Sequence, residues 1–156
     1  MEVKIKKLHE KAVLPEYQTE HAAAMDIHAC LDEPMTVQPL QRFMVPTGLA
    51  VEIPAGYEMQ IRARSGMSIK HGITMVNGVG TIDADYRGEL SILMINLSQD
   101  VFVIEPGMRV AQMLVQKYEK ISWQVTDVLS ETDRGVGGFG STGMTQQIPD
   151  TFDKKG

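Results

Sequence analysis

Four side chains that can do chemistry lie within five residues of one another, in the order Asp83, Asp85, Tyr86 and Arg87. A carboxylate can take a proton from water, a guanidinium can neutralise an anion, and an aromatic ring can pack against a base or a sugar. Upstream, Asn77-Gly78 favours a two-residue hairpin turn, because both residue types tolerate positive φ. The stretch 77–90 therefore predicts a hairpin that holds a small ligand, with Asp83 as the chemical residue, or, as the alternative, an acidic solvated turn.

A second set of residues has the donors that a phosphate requires. Arg64-Ser65-Gly66 stands where a predicted strand ends and a short helix begins, and free N–H groups, a hydroxyl and a guanidinium suit an anion there. Gln112 is a polar side chain in an apolar run, and a buried amide needs partners. Asp26 stands among alanines and apolar residues. Each also has a purely structural explanation, as a helix cap, a backbone-bound amide or a turn cap.

The glycine-rich segment 135–143 predicts a second anion site. Successive glycine N–H groups can form an anion-binding nest, to which Arg134, Ser141 and Thr142 would add charge and donors. Phe139 stands among glycines with little core to join, so its ring is free to stack on a base. The alternative is a flexible linker.

The composition restricts the classes of protein. A length of 156 residues suits one domain with a real core. The net charge of −5 argues against direct nucleic-acid binding, although local arginines can still bind a small anion. No apolar run approaches the roughly 20 residues of a membrane helix, and no signal peptide is expected. The single cysteine, Cys30, fits a reducing cytosol, so a cytoplasmic location without membrane contact is predicted.

Short alternating segments predict the elements that position these residues. Strands are expected at 3–6, 22–29, 35–46 with a break at Pro39, 47–53, 57–64, 90–97, 101–104, 109–115 and 121–125. One short helix is expected over 65–70, with Ser65 as its N-cap. Many short strands with Pro/Gly turns favour an all-β, jelly-roll-like distorted barrel. We expect a β domain at 1–129, a glycine-rich C-terminal arm at 130–143 and a disordered tail at 144–156.

Five blocks of the sequence together resemble the motifs of the trimeric dUTP diphosphatases (dUTPases). In the order that the family has them, the blocks are residues 23–27, 64–68, 80–88, 107–112 and 134–143. Two positions depart from the family pattern. Ala24 stands where glycine is usual and Ser68 stands where alanine is usual, and both replacements are small.

The resemblance implies a jelly-roll homotrimer with active sites shared between subunits. Such an enzyme hydrolyses dUTP to dUMP and pyrophosphate with Mg²⁺, which limits uracil in DNA and supplies dUMP for thymidylate synthesis. Asp83 is implied to activate the attacking water, Tyr86 to lie under the deoxyribose, and Asp26 to act on the metal through water. Base and sugar contacts are implied for Asn77, Gly78, Ile82, Asp83, Tyr86 and Phe139. Phosphate contacts are implied for Arg64, Ser65, Gly66, Gln112, Arg134, Gly138, Ser141 and Thr142.

Two other functions remain open at this point. A dCTP deaminase of related fold would need a hairpin that admits cytosine and a catalytic glutamate, for which Glu89 is the nearest acid. A dUTP-sensing regulatory protein would bind the nucleotide and switch a contact with a partner. The segment 83–86 and the complete arm favour a dUTPase over the deaminase, and an intact Asp83 favours turnover over sensing alone.

Overall fold

The computed structural model describes residues 1–139 and residue 141, and these form an all-β fold with one short helix, as predicted. The helix, α1, spans Ser65–His71. In chain order the strands are β1 (Lys4–Lys7), β2 (Met25–His28), β3 (Met35–Val37), β4 (Arg42–Pro46), β5 (Leu49–Glu52), β6 (Tyr57–Ala63), β7 (Ile73–Met75), β8 (Gly80–Ile82), β9 (Ser91–Asn96), β10 (Phe102–Ile104) and β11 (Arg109–Lys117). All of them belong to one compact unit, Met1–Lys120, and a second unit begins at Ile121.

The strands pair antiparallel in four small sheets. The largest has the order β2-β11-β6-β8, the next has β4-β9-β7, and two strand pairs, β1-β5 and β10-β3, complete the set. The architecture is jelly-roll-like, but the sheets of the described residues do not close into one barrel. In the largest sheet, β11 lies between β2 and β6, so residues far apart in sequence meet across it.

The core forms because alternate residues of the strands are apolar. In β6, Met59 and Ile61 are buried, as the predicted alternation requires. In β5, Leu49 and Val51 are buried as well, and so is the small Ala50 between them. Each large side chain that is fully removed from water stabilises the fold by about 1.5–3 kcal/mol relative to an exposed one. The core therefore fixes the register of β6 and β11, whose ends carry the polar residues singled out above.

The structure corrects the predicted hairpin at Asn77-Gly78. A turn does form there, since Gly78 has a φ of 70° and its N–H donates to the carbonyl of Met75 at 3.4 Å. The flanking strands separate, however, because β7 pairs with β9 and β8 pairs with β6. Opposite Gly80, the Cβ of Ile61 lies 3.2 Å from where a side chain would start. The turn is thus a corner between two sheets. The residue types at Asn77-Gly78 determine that the chain turns, whereas long-range packing determines which strands β7 and β8 pair with.

Two further predictions are wrong in detail. The N-cap of α1 is Arg64 rather than Ser65, and its side chain makes no capping hydrogen bond. The strand expected at 121–125 is absent, although its alternation is real: Ile121, Trp123 and Val125 are 70%, 87% and 95% exposed. A strand needs a partner edge as well as an apolar face, and the described residues supply none for this segment.

Other expectations are confirmed or refined. The break at Pro39 separates β3 from β4, where Leu40 has a φ of 59°. The first strand forms one residue later than expected and is exposed along its whole length rather than on one face. Within the described part of the chain, no helix has the length and apolar character that crossing a bilayer requires.

Asn96→Ala tests the main buried polar contact of the fold. The Asn96 side chain is fully buried, donates to the carbonyl of Asp100 at 2.8 Å, and accepts from the N–H and hydroxyl of Ser98 at 2.9 and 2.7 Å. We expect the free energy of unfolding to fall by about 2–4 kcal/mol, because buried polar groups lose partners and a cavity forms. Urea unfolding measures this. The exposed Gln116→Ala should change it by less than about 0.5 kcal/mol, and equal losses would contradict the assignment.

Candidate active site

A buried carboxylate gathers three donors at one end of the largest sheet. Asp26 of β2 is only 3% exposed. Its Oδ1 lies 3.3 Å from Nε of Arg64 and 3.2 Å from Nε2 of Gln112, and its Oδ2 lies 3.2 Å from a terminal nitrogen of Arg109. A buried carboxylate is tolerated only when charges and hydrogen bonds compensate it. We call Asp26, Arg64, Arg109 and Gln112 the Asp26 cluster.

Strand pairing explains why these four residues meet. Gln112 stands directly opposite Asp26 in the β2–β11 register, and residues opposite each other place their side chains together. Arg64 follows the last residue of β6 and donates to the carbonyl of Arg109 at 2.9 Å. The Arg64 and Arg109 side chains remain 30% and 46% exposed. The carboxylate therefore holds two partly exposed guanidiniums and one amide in place, and such a group can bind an anion.

His28, two residues along β2, shares this electrostatic environment. Burial, and then the positive charge of Arg109, lower the pKa of its imidazole. Its Nδ1 is buried and has no hydrogen-bond partner among the described residues. The ring therefore favours its neutral form, and the positive charge of the Asp26 cluster comes from the arginines alone.

The segment 83–89 is a turn that its own side chains hold in place. The N–H of Tyr86 donates to the carbonyl of Asp83 at 3.1 Å, and the Tyr86 hydroxyl donates to the carbonyl of Glu89 at 3.1 Å. Arg87 donates to the carbonyls of Ala84 and Tyr86 at 2.6 and 2.9 Å. Asp83 is exposed, and its carboxylate has no hydrogen bond within the described residues. The turn is thus fixed while its first carboxylate stays available for chemistry.

Asp83 lines two clefts. The first, of about 500 Å³, also has Ile82, Tyr86 and Glu89 in its wall. The second, of about 790 Å³, includes Asp85. Both volumes lie in the range of small-ligand sites. The cleft with Tyr86 joins a ring, an apolar side chain and a free carboxylate, which suits a nucleoside. The other residues with predicted base contacts, Asn77 and Gly78, are exposed in the β7–β8 turn and line neither cleft.

The Asp26 cluster and Asp83 lie at opposite ends of β6. Ile82 pairs with Met59 of this strand, so Asp83 comes next to Glu58, whereas Arg64 follows the other end. Positions 58 and 64 are six steps apart along an extended strand, which corresponds to roughly 20 Å. Neither cleft that Asp83 lines contains a residue of the Asp26 cluster. One chain therefore brings the predicted residues together in two groups, and it holds those groups apart.

The other predicted phosphate contacts have less definite surroundings. Ser65 and Gly66 are exposed at the start of α1. In the arm, Arg134 Nε donates to the carbonyl of Gly137 at 2.8 Å, and the N–H of Ser141 donates to the carbonyl of Gly138 at 3.0 Å. Phe139, also in the arm, is fully exposed. Thr142 lies outside the described residues.

Sequence reasoning placed Arg109 in a family block without giving it a role. The structure places its guanidinium on the buried Asp26 carboxylate, beside Gln112. The available signal was a cation three residues before a glutamine within an otherwise apolar strand. No group of three or more His, Cys, Asp or Glu side chains that could hold a metal occurs in the described residues. Because both oxygens of Asp26 are engaged by donors, Asp26 does not present a free carboxylate to a metal ion.

Comparisons with known proteins agree on one family. The family model described as dUTPase matches residues 10–143. The deoxyuridine 5'-triphosphate nucleotidohydrolase of Rickettsia felis is 54% identical over 144 residues, which are 92% of this chain and 97% of that protein. A Staphylococcus bacteriophage 80alpha dUTPase, solved with dUPNHPP, is 27% identical with a TM-score of 0.83, over 91% of this chain and 98% of that chain. It is described among phage dUTPases that control transfer of virulence genes.

A further solved structure shares the fold. This mutant dUTPase of the S. aureus phage phi11 has a TM-score of 0.76 at 22% identity, covering 84% of this chain and 100% of that chain. It is described as revealing how a structural Mg(II) ion is coordinated. At this level of identity, the likeness shows the fold alone.

Asp26→Asn tests the cluster. The amide keeps the size of the side chain but removes the charge that pairs with both arginines, so we expect the free energy of unfolding to fall by about 1.5–3 kcal/mol. Urea unfolding of both proteins measures the change. The matched control is Asp32→Asn, because Asp32 also pairs with a cation, Lys11 at 2.7 Å, but is 72% exposed. Its unfolding midpoint should stay near that of the parent protein, and an equal loss in the two variants would contradict the special role of Asp26.

Proposed function

Because the chain belongs to the dUTPase family, it is an enzyme that hydrolyses dUTP, and we propose that Asp83 activates the water that attacks the α-phosphorus. The water oxygen forms a bond to that phosphorus, its proton passes to the Asp83 carboxylate, and the bond to the bridging oxygen of the β-phosphate breaks. The products are dUMP and pyrophosphate. The reaction limits uracil in DNA and supplies dUMP for thymidylate synthesis.

The observation that carries this proposal is the free carboxylate of Asp83 in a fixed turn. The turn is held by hydrogen bonds from Tyr86 and Arg87, yet none of them uses the Asp83 side chain. A positioned base of this kind contributes typically about 10²–10⁴-fold to the rate. Because the turn is fixed before the nucleotide binds, the base needs little reorganisation.

The triphosphate requires positive charge more than covalent chemistry. In the Asp26 cluster, Arg64 and the partly exposed Arg109 would supply this charge, and the neutral amide of Gln112 would add a hydrogen-bond donor. Ser65 and Gly66 would add a hydroxyl and N–H groups next to Arg64. From the arm, the phosphate donors would be Arg134, Gly138, Ser141 and Thr142. The mobile closure that glycine-rich segments permit would also exclude water around the phosphates.

The nucleoside would lie in the cleft that Tyr86, Ile82 and Asp83 line. The Tyr86 ring would lie under the deoxyribose, where it leaves no volume for a 2′-hydroxyl. Asn77 and the Gly78 main chain would read the edge of uracil. Phe139 of the arm would stack on the base, since its exposed ring has no other partner in the described arm.

Magnesium would arrive with the nucleotide. When bound, Mg²⁺ neutralises phosphate oxygens, and it keeps several waters in its coordination shell. The donor set fits such an ion only indirectly, because Arg64, Arg109 and Gln112 already engage the carboxylate of Asp26. Asp26 would therefore hold a water of the metal rather than the metal itself.

The active sites would be shared within a homotrimer. The roughly 20 Å between Asp83 and Arg64 on one chain supports this, since a second subunit can bring its Asp26 cluster to the Asp83 of the first. The apolar side chains of the segment 121–129 also support it, because isolated chains rarely expose so many together. Ile121, Trp123, Val125, Val128 and Leu129 are all at least 70% exposed. Closed three-fold symmetry would cover the segment in every subunit.

Among other functions, dCTP deamination is disfavoured because the carboxylate of Glu89, the nearest candidate acid, is already hydrogen-bonded to the main chain. Its Oε1 accepts the N–H of Gly48 at 2.7 Å, so this carboxylate already has a structural role.

Regulation by dUTP binding is the second candidate, favoured by the description of the phage 80alpha relative. The absence of a nucleic-acid or membrane partner and a cytoplasmic location remain predictions from charge, hydropathy and the single cysteine.

Asp83→Asn separates catalysis from binding. The amide cannot take a proton at neutral pH, so we expect kcat for dUTP to fall about 10²-fold or more. Affinity for a non-hydrolysable dUTP analogue should change by less than about tenfold, because a base acts mainly in the transition state. Asp85→Asn is the matched control, since Asp85 lines only the second cleft. A fully active Asp83→Asn protein would refute the assignment and favour the regulatory function.

Mixed trimers test whether sites are shared. Asp83→Asn and Arg64→Ala proteins should each be nearly inactive. When they are unfolded together and refolded at equal amounts, a site built from two subunits regains both intact residues in about one quarter of cases, if chains assort randomly. We therefore expect about a quarter of the parent activity in a steady-state pyrophosphate assay. Sites contained within one chain would give no recovery.

A further inference from the structure

Tyr86 is held both at its main chain and at the far end of its side chain. Its main-chain N–H donates to the carbonyl of Asp83, and its hydroxyl donates to the carbonyl of Glu89, each at 3.1 Å. The side chain therefore folds back along its own turn. Gly88 lies beside this ring, directly before Glu89, whose carbonyl accepts the hydroxyl.

Gly88 leaves the space that this ring occupies. A Cβ at position 88 would lie 2.6 Å from Cζ and 3.0 Å from Cε2 of Tyr86, and closer still to the hydroxyl oxygen. Carbon atoms in ordinary contact are about 3.5–4.0 Å apart, so the ring would have to move. Backbone conformation does not explain the glycine, because Gly88 has no positive φ, unlike Gly78. Position 88 must therefore lack a side chain, because a Cβ there would occupy the space of the Tyr86 ring.

The acceptor of the Tyr86 hydroxyl is itself fixed to the core. The Glu89 side chain accepts the N–H of Gly48 at 2.7 Å. The next residue, Leu90, is buried, and its N–H donates to the carbonyl of Leu49 at 2.8 Å. The peptide unit that carries the Glu89 carbonyl is thus held by a side-chain bond to Gly48 and by a main-chain bond to Leu49, the first residue of β5. A ring bonded to this carbonyl cannot retreat from a ligand without breaking a contact with the scaffold.

We infer that Gly88 is a positioning residue for sugar selection, which acts by seating the Tyr86 ring against the 88–89 main chain. The inference rests on the proposed function, which places this ring under the deoxyribose. A pocket rejects an added hydroxyl only weakly, by about 10²-fold in a typical case. Gly88 and the Glu89 carbonyl restrain the Tyr86 ring, so the ring would break a hydrogen bond if it moved to admit a ribose 2′-hydroxyl.

The experiment is a cycle of Gly88→Ala and Tyr86→Ala. The measured quantity is the ratio of kcat/KM for UTP to kcat/KM for dUTP. Gly88→Ala should raise the ratio about tenfold or more, because the displaced ring no longer excludes the hydroxyl. In the Tyr86→Ala background, Gly88→Ala should leave the ratio unchanged, since no ring remains to displace. A change of equal size in both backgrounds would overturn the inference.

The same cycle separates this inference from the proposed function. If Tyr86→Ala alone leaves the ratio unchanged, the sugar contact of Tyr86 is wrong. If Tyr86→Ala raises the ratio and Gly88→Ala does not, the sugar contact stands and the role of Gly88 is refuted.

Two further variants keep the inference testable if Gly88→Ala unfolds. The double variant with Tyr86→Ala should then be as stable as Tyr86→Ala alone, because the collision is gone, and continued instability would overturn the inference. Tyr86→Phe keeps the ring and residue 88 but removes the bond to the Glu89 carbonyl. It should raise the ratio by less than Gly88→Ala does, and an unchanged ratio would contradict the role of this bond.

Discussion

One buried carboxylate connects the elements that carry the proposed phosphate-binding residues. Asp26 lies on β2, Gln112 and Arg109 on β11, and Arg64 at the junction of β6 and α1, so its contacts join three strands and the helix. Two guanidiniums this close would repel each other and adopt many orientations without it. With it, the two guanidiniums are held in fixed positions at the edge of the core. The same contacts that join the sheet would thus pre-organise the proposed phosphate site.

The second organising feature is the turn at 83–89, because its candidate catalytic side chain takes no part in holding the turn. In the segment 83–89, the hydrogen bonds run through main-chain carbonyls, the Tyr86 hydroxyl and Arg87. Asp83 takes no part with its side chain, which is unusual for an aspartate at a turn, since such carboxylates often cap their own backbone. Because the hydrogen bonds of the turn do not use the Asp83 carboxylate, the proposed base would change protonation without loosening the turn.

Much of the fold could be predicted from sequence, because alternation reports burial directly. Met59 and Ile61 were placed correctly on that basis, and so was the break at Pro39. The hairpin prediction failed because Asn77-Gly78 determines a turn, whereas the partners of β7 and β8 depend on distant strands. The prediction at 121–125 failed because alternation does not provide a partner edge.

The candidate site shows the same division between local signals and long-range geometry. The types of residue in the blocks indicated a phosphate site, but the pairing of Arg109 with Asp26 depends on the β2–β11 register, which no short motif encodes. Similarly, Asp83 lies near the first residues of β6 and Arg64 follows its last residue. This separation depends on the register between β6 and β8, which the sequence does not show.

That separation along β6 has a consequence for how the enzyme responds to its own abundance. In a chain released from the proposed trimer, Asp83 and Arg64 would remain roughly 20 Å apart, so the proposed base and the proposed phosphate donors would not act on the same nucleotide. Such a chain would not cleave the triphosphate, so hydrolysis would depend on assembly of the proposed trimer. Turnover per chain would then rise with the concentration of the protein.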